Sequence, residues 1–170
     1  DLKTIKFLGS LCESIYKKNK IATVVKHIPG HGRTSSDSHL VLPVIKDSYK
    51  KLLKSDFACF KECKSLFAMT AHILFKNIDN TEPATHSSKI INEIIRKKIG
   101  FKGILISDDI SMRALKNDLI TNAKKALSSG CNLVLHCSGD YRETYKLLKE
   151  MPYIDKFTLK KTSEFYKFLS

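Results

Sequence analysis

Hydrophobic and polar positions along this chain change period repeatedly. Ile5, Leu8, Cys12, Ile15 and Tyr16 recur three or four residues apart and predict an amphipathic helix that stops near Asn19. Ile21-Ala22-Thr23-Val24-Val25 is a short β-branched run that reads as a buried strand, and a Gly/Pro-punctuated polar loop follows it. Tyr49, Leu53, Phe57 and Phe60 form a second helical stripe, ahead of a second apolar run from Leu66 to Ile73. Beyond a polar loop around Asp79 to Thr85, Ser87 or Ser88 caps a helix whose Ile90, Ile91, Ile94 and Ile95 face inward and which Gly100 ends. Gly103 to Ser107 predict a third strand that delivers Asp108 and Asp109. Leu119, Ile120, Ala123, Ala126 and Leu127 give a helix closed by Gly130, and Asn132 to His136 a fourth strand, before helical stretches near 141–150 and 158–169.

Short continuous apolar strands that alternate with helices argue for an α/β fold, a parallel sheet covered by helices and joined by right-handed crossovers. Four such units are half of an eight-fold barrel, which typically needs about 250 residues. With 170 residues, either the sheet is open or half of a barrel is missing. No internal repeat or low-complexity tract interrupts the pattern.

Composition narrows the classes. At 42% hydrophobic content the chain forms one core, so residues 1–170 are expected to be a single domain. No apolar run approaches the roughly 20 residues of a membrane span, and no leader pattern opens the sequence, which predicts a soluble protein with no membrane partner. The first residue is Asp, which suggests a start inside a longer reading frame or a processed product. Five cysteines without a regular framework point to a reducing, cytoplasmic setting. Cys59 and Cys63 share a helical face at i,i+4, but no second ligand pair at zinc spacing accompanies them, so they read as core residues and no metal or cofactor is expected. The net charge of +13 raises nucleic acid as a partner, yet the lysines are scattered over helix faces and no nucleic-acid motif is present.

Candidate chemistry concentrates in residues 26–39, where Lys26, His27, His31, Asp37 and His39 fall within one loop past a strand's C-terminal end. Singly, each reads as ordinary loop composition. Together they supply proton-handling groups where α/β folds place their sites. Asp37 and His39 are two apart, so in an extended segment they point the same way, and the carboxylate can fix the imidazole's tautomer while its other nitrogen exchanges a proton with substrate. In a parallel sheet Asp108 lies on the same rim, about eighty residues later. A carboxylate nucleophile and an acid/base on one rim are the parts of a retaining glycosidase.

These motifs resemble the β-N-acetylhexosaminidases of glycoside hydrolase family 3, the cytosolic bacterial enzymes of cell-wall recycling. The resemblance rests on Lys26-His27-Ile28-Pro29-Gly30-His31-Gly32 with Asp37-Ser38-His39, Met69-Thr70-Ala71-His72, Gly100-Phe101-Lys102-Gly103 leading to Ser107-Asp108-Asp109-Ile110-Ser111-Met112, and Gly130-Cys131-Asn132-Leu133-Val134-Leu135-His136-Cys137, in family order. It implies the C-terminal part of a (β/α)8 TIM barrel, with about four parallel strands and with strands one to four missing. It implies Asp108 as the catalytic nucleophile, His39 as general acid/base with Asp37 as its dyad partner, and Lys26 and His27 as hydrogen-bond donors to the bound sugar. The implied reaction removes terminal, non-reducing β-linked N-acetylglucosamine from peptidoglycan fragments with retention. Histidine in place of a second carboxyl departs from the usual scheme, and a neutral imidazole is not repelled by an ionised Asp108. His31 and His72 read as structural, Asp109 as pointing away from the reaction, and Arg33 stands where many relatives carry an acidic residue.

The family's upstream sugar-gripping aspartate and arginines are not in this sequence. Two expectations follow: a glycosidase that a complementary chain or a second copy completes, or a truncated non-catalytic remnant that binds carbohydrate weakly. Within the first, substrate-assisted catalysis supported by Asp108-Asp109 stays open beside the covalent route.

Overall fold

The computed structural model describes residues 1–34, 36–38 and 40–169. In chain order it forms α1 (Leu2–Lys18), β1 (Val24–Ile28), β2 (Val44–Ile45) and α2 (Tyr49–Lys54), then a 3-10 turn at Phe57–Phe60. β3 (Phe67–Thr70) and β4 (Leu74–Phe75) precede a second 3-10 turn at Ala84–His86 and a π-wound helix at Ile90–Ile99. β5 (Ile104–Asp109), α3 (Leu119–Ser129), β6 (Leu133–Leu135), α4 (Tyr141–Glu150) and α5 (Lys156–Leu169) complete it. The main sheet has the order β1-β3-β5-β6 with every pairing parallel, which places all four C-terminal strand ends on one rim.

Alternation along the strands divides the sheet into two faces. Ala68 and Thr70 of β3 and Leu105 and Ser107 of β5 are buried, while Met69, Ile106 and Asp108 are half-buried. The covered face meets Leu52, Phe57, Ile73, Ile90, Ile91 and Ile95, all fully enclosed. Burying each such side chain contributes about 1.5–3 kcal/mol, and this layer holds the sheet to its helices.

Two local devices fix the middle strands. Gly103 enters β5 so close to β3 that an added Cβ would overlap the Leu66 carbonyl, so only glycine fits. Arg96 reaches back from the π-wound helix to donate to the carbonyls of Phe101 (3.1 Å) and Gly103 (2.7 Å) and to Asn132 Oδ1 (2.8 Å). That same Asn132 oxygen accepts from the Leu105 N–H at 2.9 Å, and the Asn132 amide donates to Thr158 Oγ1 at 3.0 Å, tying β5, β6 and α5 together. Arg96 is desolvated there, which lowers its pKa, and its three hydrogen-bond acceptors offset that cost.

Several sequence expectations are corrected. The first strand runs to Ile28, so Lys26 and His27 sit in the strand's last turns and not in the loop after it. The stripe from Tyr49 to Phe60 is broken at Ser55-Asp56 into α2 and a 3-10 turn, because Arg33 holds both residues by their side chains. Cys59 and Cys63 therefore share no helical face, and both are half-buried. The run after Met69 leaves the main sheet at Ala71 and pairs Leu74-Phe75 with Val44-Ile45 in a separate parallel ribbon that the pattern did not announce. α1 has the expected stripe yet buries no residue, and Ile5, Leu8, Ile15 and Tyr16 stay exposed.

Candidate active site

The rim gathers His27 from β1, His72 from just beyond β3 and Asp108 from β5. His27 Nε2 lies 3.6 Å from Asp108 Oδ2, with about a quarter and a sixth of the side chains exposed (29% and 16%). At that distance the contact is electrostatic and not a formed hydrogen bond. The two strands are not neighbours, since β3 runs between them, so the side chains meet across the sheet's central strand. The β1–β3 register slips between Lys26 and Ile28, and such a bulge re-aims side chains at the residues of interest.

Electrostatics at His27 oppose one another. Burial is the largest influence and lowers its pKa, Asp108 pulls it up, and His31, Lys26 and His72 push it down further, so the net shift is downward. His27 is thus a neutral imidazole at neutral pH, able to donate or accept toward a bound hydroxyl. Asp108 Oδ1 accepts from the Asp109 N–H at 2.9 Å, while Oδ2 is the oxygen set toward His27.

His72 supports this carboxylate from below. It is fully buried; its Nε2 lies 2.9 Å from the Asp109 carbonyl and its Nδ1 2.7 Å from Thr85 Oγ1. A carbonyl only accepts, so Nε2 carries the proton and Nδ1 accepts from the Thr85 hydroxyl. Thr85 in turn lies 2.8 Å from Thr70 Oγ1, which donates to it. Desolvation lowers the His72 pKa and keeps this neutral tautomer. The chain Thr70–Thr85–His72–Asp109 thereby fixes the backbone that presents Asp108. The Asp109 side chain turns away, accepting from Ser111 N–H and Oγ (3.1 and 2.7 Å) and from the Cys137 N–H (3.2 Å), which bridges β5's end to β6's end.

The segment after β1 is pinned rather than loose. Gly30 packs against Asp56 so tightly that an added Cβ would lie 2.8 Å from the Asp56 Cβ. Arg33 Nε donates to Asp56 Oδ2 at 2.6 Å and its Nη2 to Ser55 Oγ at 3.0 Å, with Asp47 at 3.7 Å. His31 bridges within the loop, its Nδ1 3.1 Å from Thr34 Oγ1 and its Nε2 3.4 Å from Ser38 Oγ. A cavity of about 540 Å³ opens beside this segment, lined in part by Lys26, His27, His31, Arg33 and Asp56.

The expected site residues therefore fall into three groups. Lys26, His27 and Asp108 share the rim, with Lys26 exposed to solvent. Asp37 is exposed, and its carbonyl accepts from the N–H groups of Leu40 and Val41 (3.1 Å each). His39 lies outside the described residues. His31 and His72 occupy supporting positions, as the residue pattern suggests. Thr85 carries no signature in the sequence: only its location 13 residues beyond His72, two before the helix-capping Ser87, hints at a role. Among the described residues, no group of three or more His, Cys, Asp or Glu is arranged to hold a metal ion.

Comparison with known proteins bears on this rim. A family model described as "Glycosyl hydrolase family 3 N terminal domain" matches residues 3–161. A β-hexosaminidase of Methylobacillus flagellatus is 33% identical over 127 residues, which is 72% of this chain and 36% of that protein. Among solved structures, a glycoside hydrolase family 3 β-N-acetylglucosaminidase from Paenibacillus superposes with a TM-score of 0.78 at 27% identity, covering 90% of this chain and 31% of that one. NagZ from Neisseria gonorrhoeae, in complex with N-trifluoroacetyl-D-glucosamine, superposes with a TM-score of 0.74 at 28% identity, covering 90% of this chain and 43% of that one. The chain spans about a third of the length of the curated relatives it matches.

Proposed function

The chain belongs to glycosyl hydrolase family 3, and on that premise we propose that it supplies the hydrolytic rim of a β-N-acetylglucosaminidase acting on peptidoglycan-derived amino sugars. Asp108 attacks the anomeric carbon as the glycosidic C–O bond breaks, and the leaving oxygen takes a proton from His39, which Asp37 orients. In the second step His39 removes a proton from water, whose oxygen displaces the Asp108 ester and restores the original configuration. Lys26 and His27 hold hydroxyl groups of the same sugar. Residues 1–170 act as one unit of the catalytic domain, to which a complementary chain or a second copy adds the rest of the sugar-binding surface. Five unpaired cysteines, two of them exposed, suit a reducing cytoplasmic setting.

The observation that carries this reading is the His27–Asp108 contact at 3.6 Å across the sheet's central strand. A nucleophilic carboxylate needs to be ionised, open on one oxygen and held still. Asp108 has an oxygen free of backbone donors, a neighbouring imidazole that burial keeps neutral, and a backbone clamped through His72. The amino sugar derivative held by the gonococcal relative supports the substrate class.

The test is hydrolysis of a chromogenic aryl N-acetyl-β-glucosaminide by the purified chain, alone and with added partner. Turnover that Asp108→Ala abolishes is the expected result. Absence of turnover at every protein concentration, with N-acetylglucosamine still bound, would establish a carbohydrate-binding remnant instead.

A further inference from the structure

The segment between β1 and β2 carries Asp37 and, by sequence, His39, and one side chain fastens it to a different element. Arg33 uses its guanidinium as a fork. Nε donates to Asp56 Oδ2 at 2.6 Å, Nη2 donates to Ser55 Oγ at 3.0 Å, and Nη1 lies 3.7 Å from Asp47 Oδ1. Asp47 precedes α2 and Ser55-Asp56 follow it, so three nitrogens of one residue bracket the whole helix. A planar fork suits that task, whereas a lysine carries its charge at a single point.

From that fixed point the chain runs on to the acid/base residues. His31 reaches forward within the loop, its Nε2 3.4 Å from the hydroxyl of Ser38, which is buried and stands between Asp37 and His39 in sequence. The His31 ring also lies 5.3 Å from the ring of His27, whose Nε2 faces Asp108. Asp37 then starts a turn, its carbonyl accepting from the N–H groups of Leu40 and Val41. At the far end the Pro43 carbonyl accepts from the Leu74 N–H at 2.9 Å, where the β2–β4 ribbon begins. Asp108 is held by other means: His72 grips the Asp109 carbonyl, and Thr85 and Thr70 back His72. The two supports share no residue, so the nucleophile and the proton-handling segment are anchored independently.

We infer that Arg33 is a positioning residue for proton transfer to the leaving group: it latches the loop bearing Asp37 and His39 onto the two ends of α2. Arg33 acts through the loop and touches no reacting atom. The inference rests on the proposed reading of Asp37 and His39 as the acid/base pair. Proton transfer needs heavy atoms within hydrogen-bond reach, and a misplacement of about 1 Å can cost on the order of a hundredfold in rate. The latch is also removable without unfolding the chain. The Arg33 side chain is partly solvated, and ion pairs of that kind add little to overall stability. When Arg33 is lost, Asp47 keeps Lys51 at 2.5 Å and Asp56 keeps the Ser55 hydroxyl at 2.7 Å, so neither carboxylate is stranded.

The test compares kcat/KM on two N-acetyl-β-glucosaminides in Arg33→Ala, Asp56→Ala and the double variant. Asp56→Ala removes the carboxylate yet keeps the Cβ against which Gly30 packs. A dinitrophenyl glycoside loses its leaving group without a proton, whereas an alkyl glycoside needs one. Arg33→Ala is expected to lower kcat/KM on the alkyl glycoside about 10–100-fold, part of what a well-placed general acid supplies, and to leave the dinitrophenyl glycoside little changed. Asp56→Ala is expected to show the same pattern, and the double variant no further loss. Arg33→Lys, which keeps the charge and loses the fork, is expected to recover part of the alkyl rate. Amide exchange, read without substrate, is expected to quicken at Thr34, Leu40 and Val41 in both single variants and to stay unchanged over residues 104–112. Equal losses on the two glycosides, additive losses in the double variant, or unchanged exchange at all three amides overturns the proposal. If the unaltered protein turns over neither glycoside, the proposed function has failed, and exchange alone decides the latch: quickened amides uphold it and unchanged ones overturn it.

Discussion

Thr85→Val removes one oxygen from the centre of the support beneath Asp108 and changes almost no volume. Thr85 is fully buried; its hydroxyl donates to His72 Nδ1 at 2.7 Å, receives the Thr70 hydroxyl at 2.8 Å, and has the Ala71 carbonyl 3.2 Å away. With valine in place, His72 Nδ1 has lost its donor and Thr70 its acceptor, both in the dry layer behind the sheet. Leaving a buried polar group unpaired costs about 1–3 kcal/mol, so the expected loss is about 2 kcal/mol net of relaxation. For a chain of this size that lowers the melting temperature by about 4–8 °C. Thr85→Ser keeps the hydroxyl and loses only a methyl, for about 1 kcal/mol. Chemical denaturation of Thr85→Val, Thr70→Val and the double variant completes a cycle. Once Thr85 is valine, Thr70 no longer has that hydrogen bond to lose, so the double variant is expected to be less destabilised than the two single variants added together. Turnover is expected to fall in kcat with little change in KM, because the imidazole that grips the Asp109 carbonyl has lost its anchor. Strict additivity, or a Thr85→Val loss below about 0.5 kcal/mol, would refute the tautomer and hydrogen-bond directions assigned here.

Glycine replacements separate a tight approach from open space. Gly103→Ala forces a methyl into the Leu66 carbonyl and is expected to cost about 3 kcal/mol, whereas Gly9→Ala, in the middle of α1 with nothing within 4 Å, is expected to stabilise by about 0.5–1 kcal/mol; comparable denaturation midpoints for the two would contradict the geometry. His86 is buried, donates Nε2–H to the Asn122 carbonyl at 3.1 Å, and has its pKa lowered from 6.5 to about 4, first by burial and then by Lys125. The folded chain therefore binds fewer protons than the unfolded one between those values. Stability falls as pH drops from 6.5 to 4, by about 3 kcal/mol in all, and His86→Gln is expected to flatten that slope in urea titrations at stepped pH.

Much of the fold is legible in the sequence because the strands here are buried on one face and bounded by helices with strong periodicity. Ile90, Ile91, Ile94 and Ile95 name their buried stripe, Ser87 Oγ does cap the helix by accepting from the Ile90 N–H at 3.0 Å, and Gly100 ends it. What periodicity does not carry is long-range capture. Arg33 breaks the Tyr49–Phe60 stripe from more than twenty residues away, by holding Ser55 and Asp56. The two-residue strands β2 and β4 are too short to have a period at all. α1 shows the reverse failure: its stripe is real, yet it buries nothing, because amphipathicity states that a face wants cover and not what supplies it. At the site, Lys26, His27 and Asp108 are readable as chemistry on a shared rim. Thr85 is not, since a single threonine acquires meaning only once the chain brings it onto His72.

The most direct test of the glycosidase assignment is to trap the intermediate. A fluorinated N-acetylglucosaminyl fluoride, which reacts quickly and is released slowly, is incubated with the chain under the conditions of greatest activity, and the protein is then weighed intact and mapped by peptide. The account predicts one sugar added per active chain, on the peptide carrying Ile104–Met112 and at Asp108 within it, and none in Asp108→Ala. Turnover of the ordinary substrate without any adduct, or an adduct on another carboxylate, would contradict it.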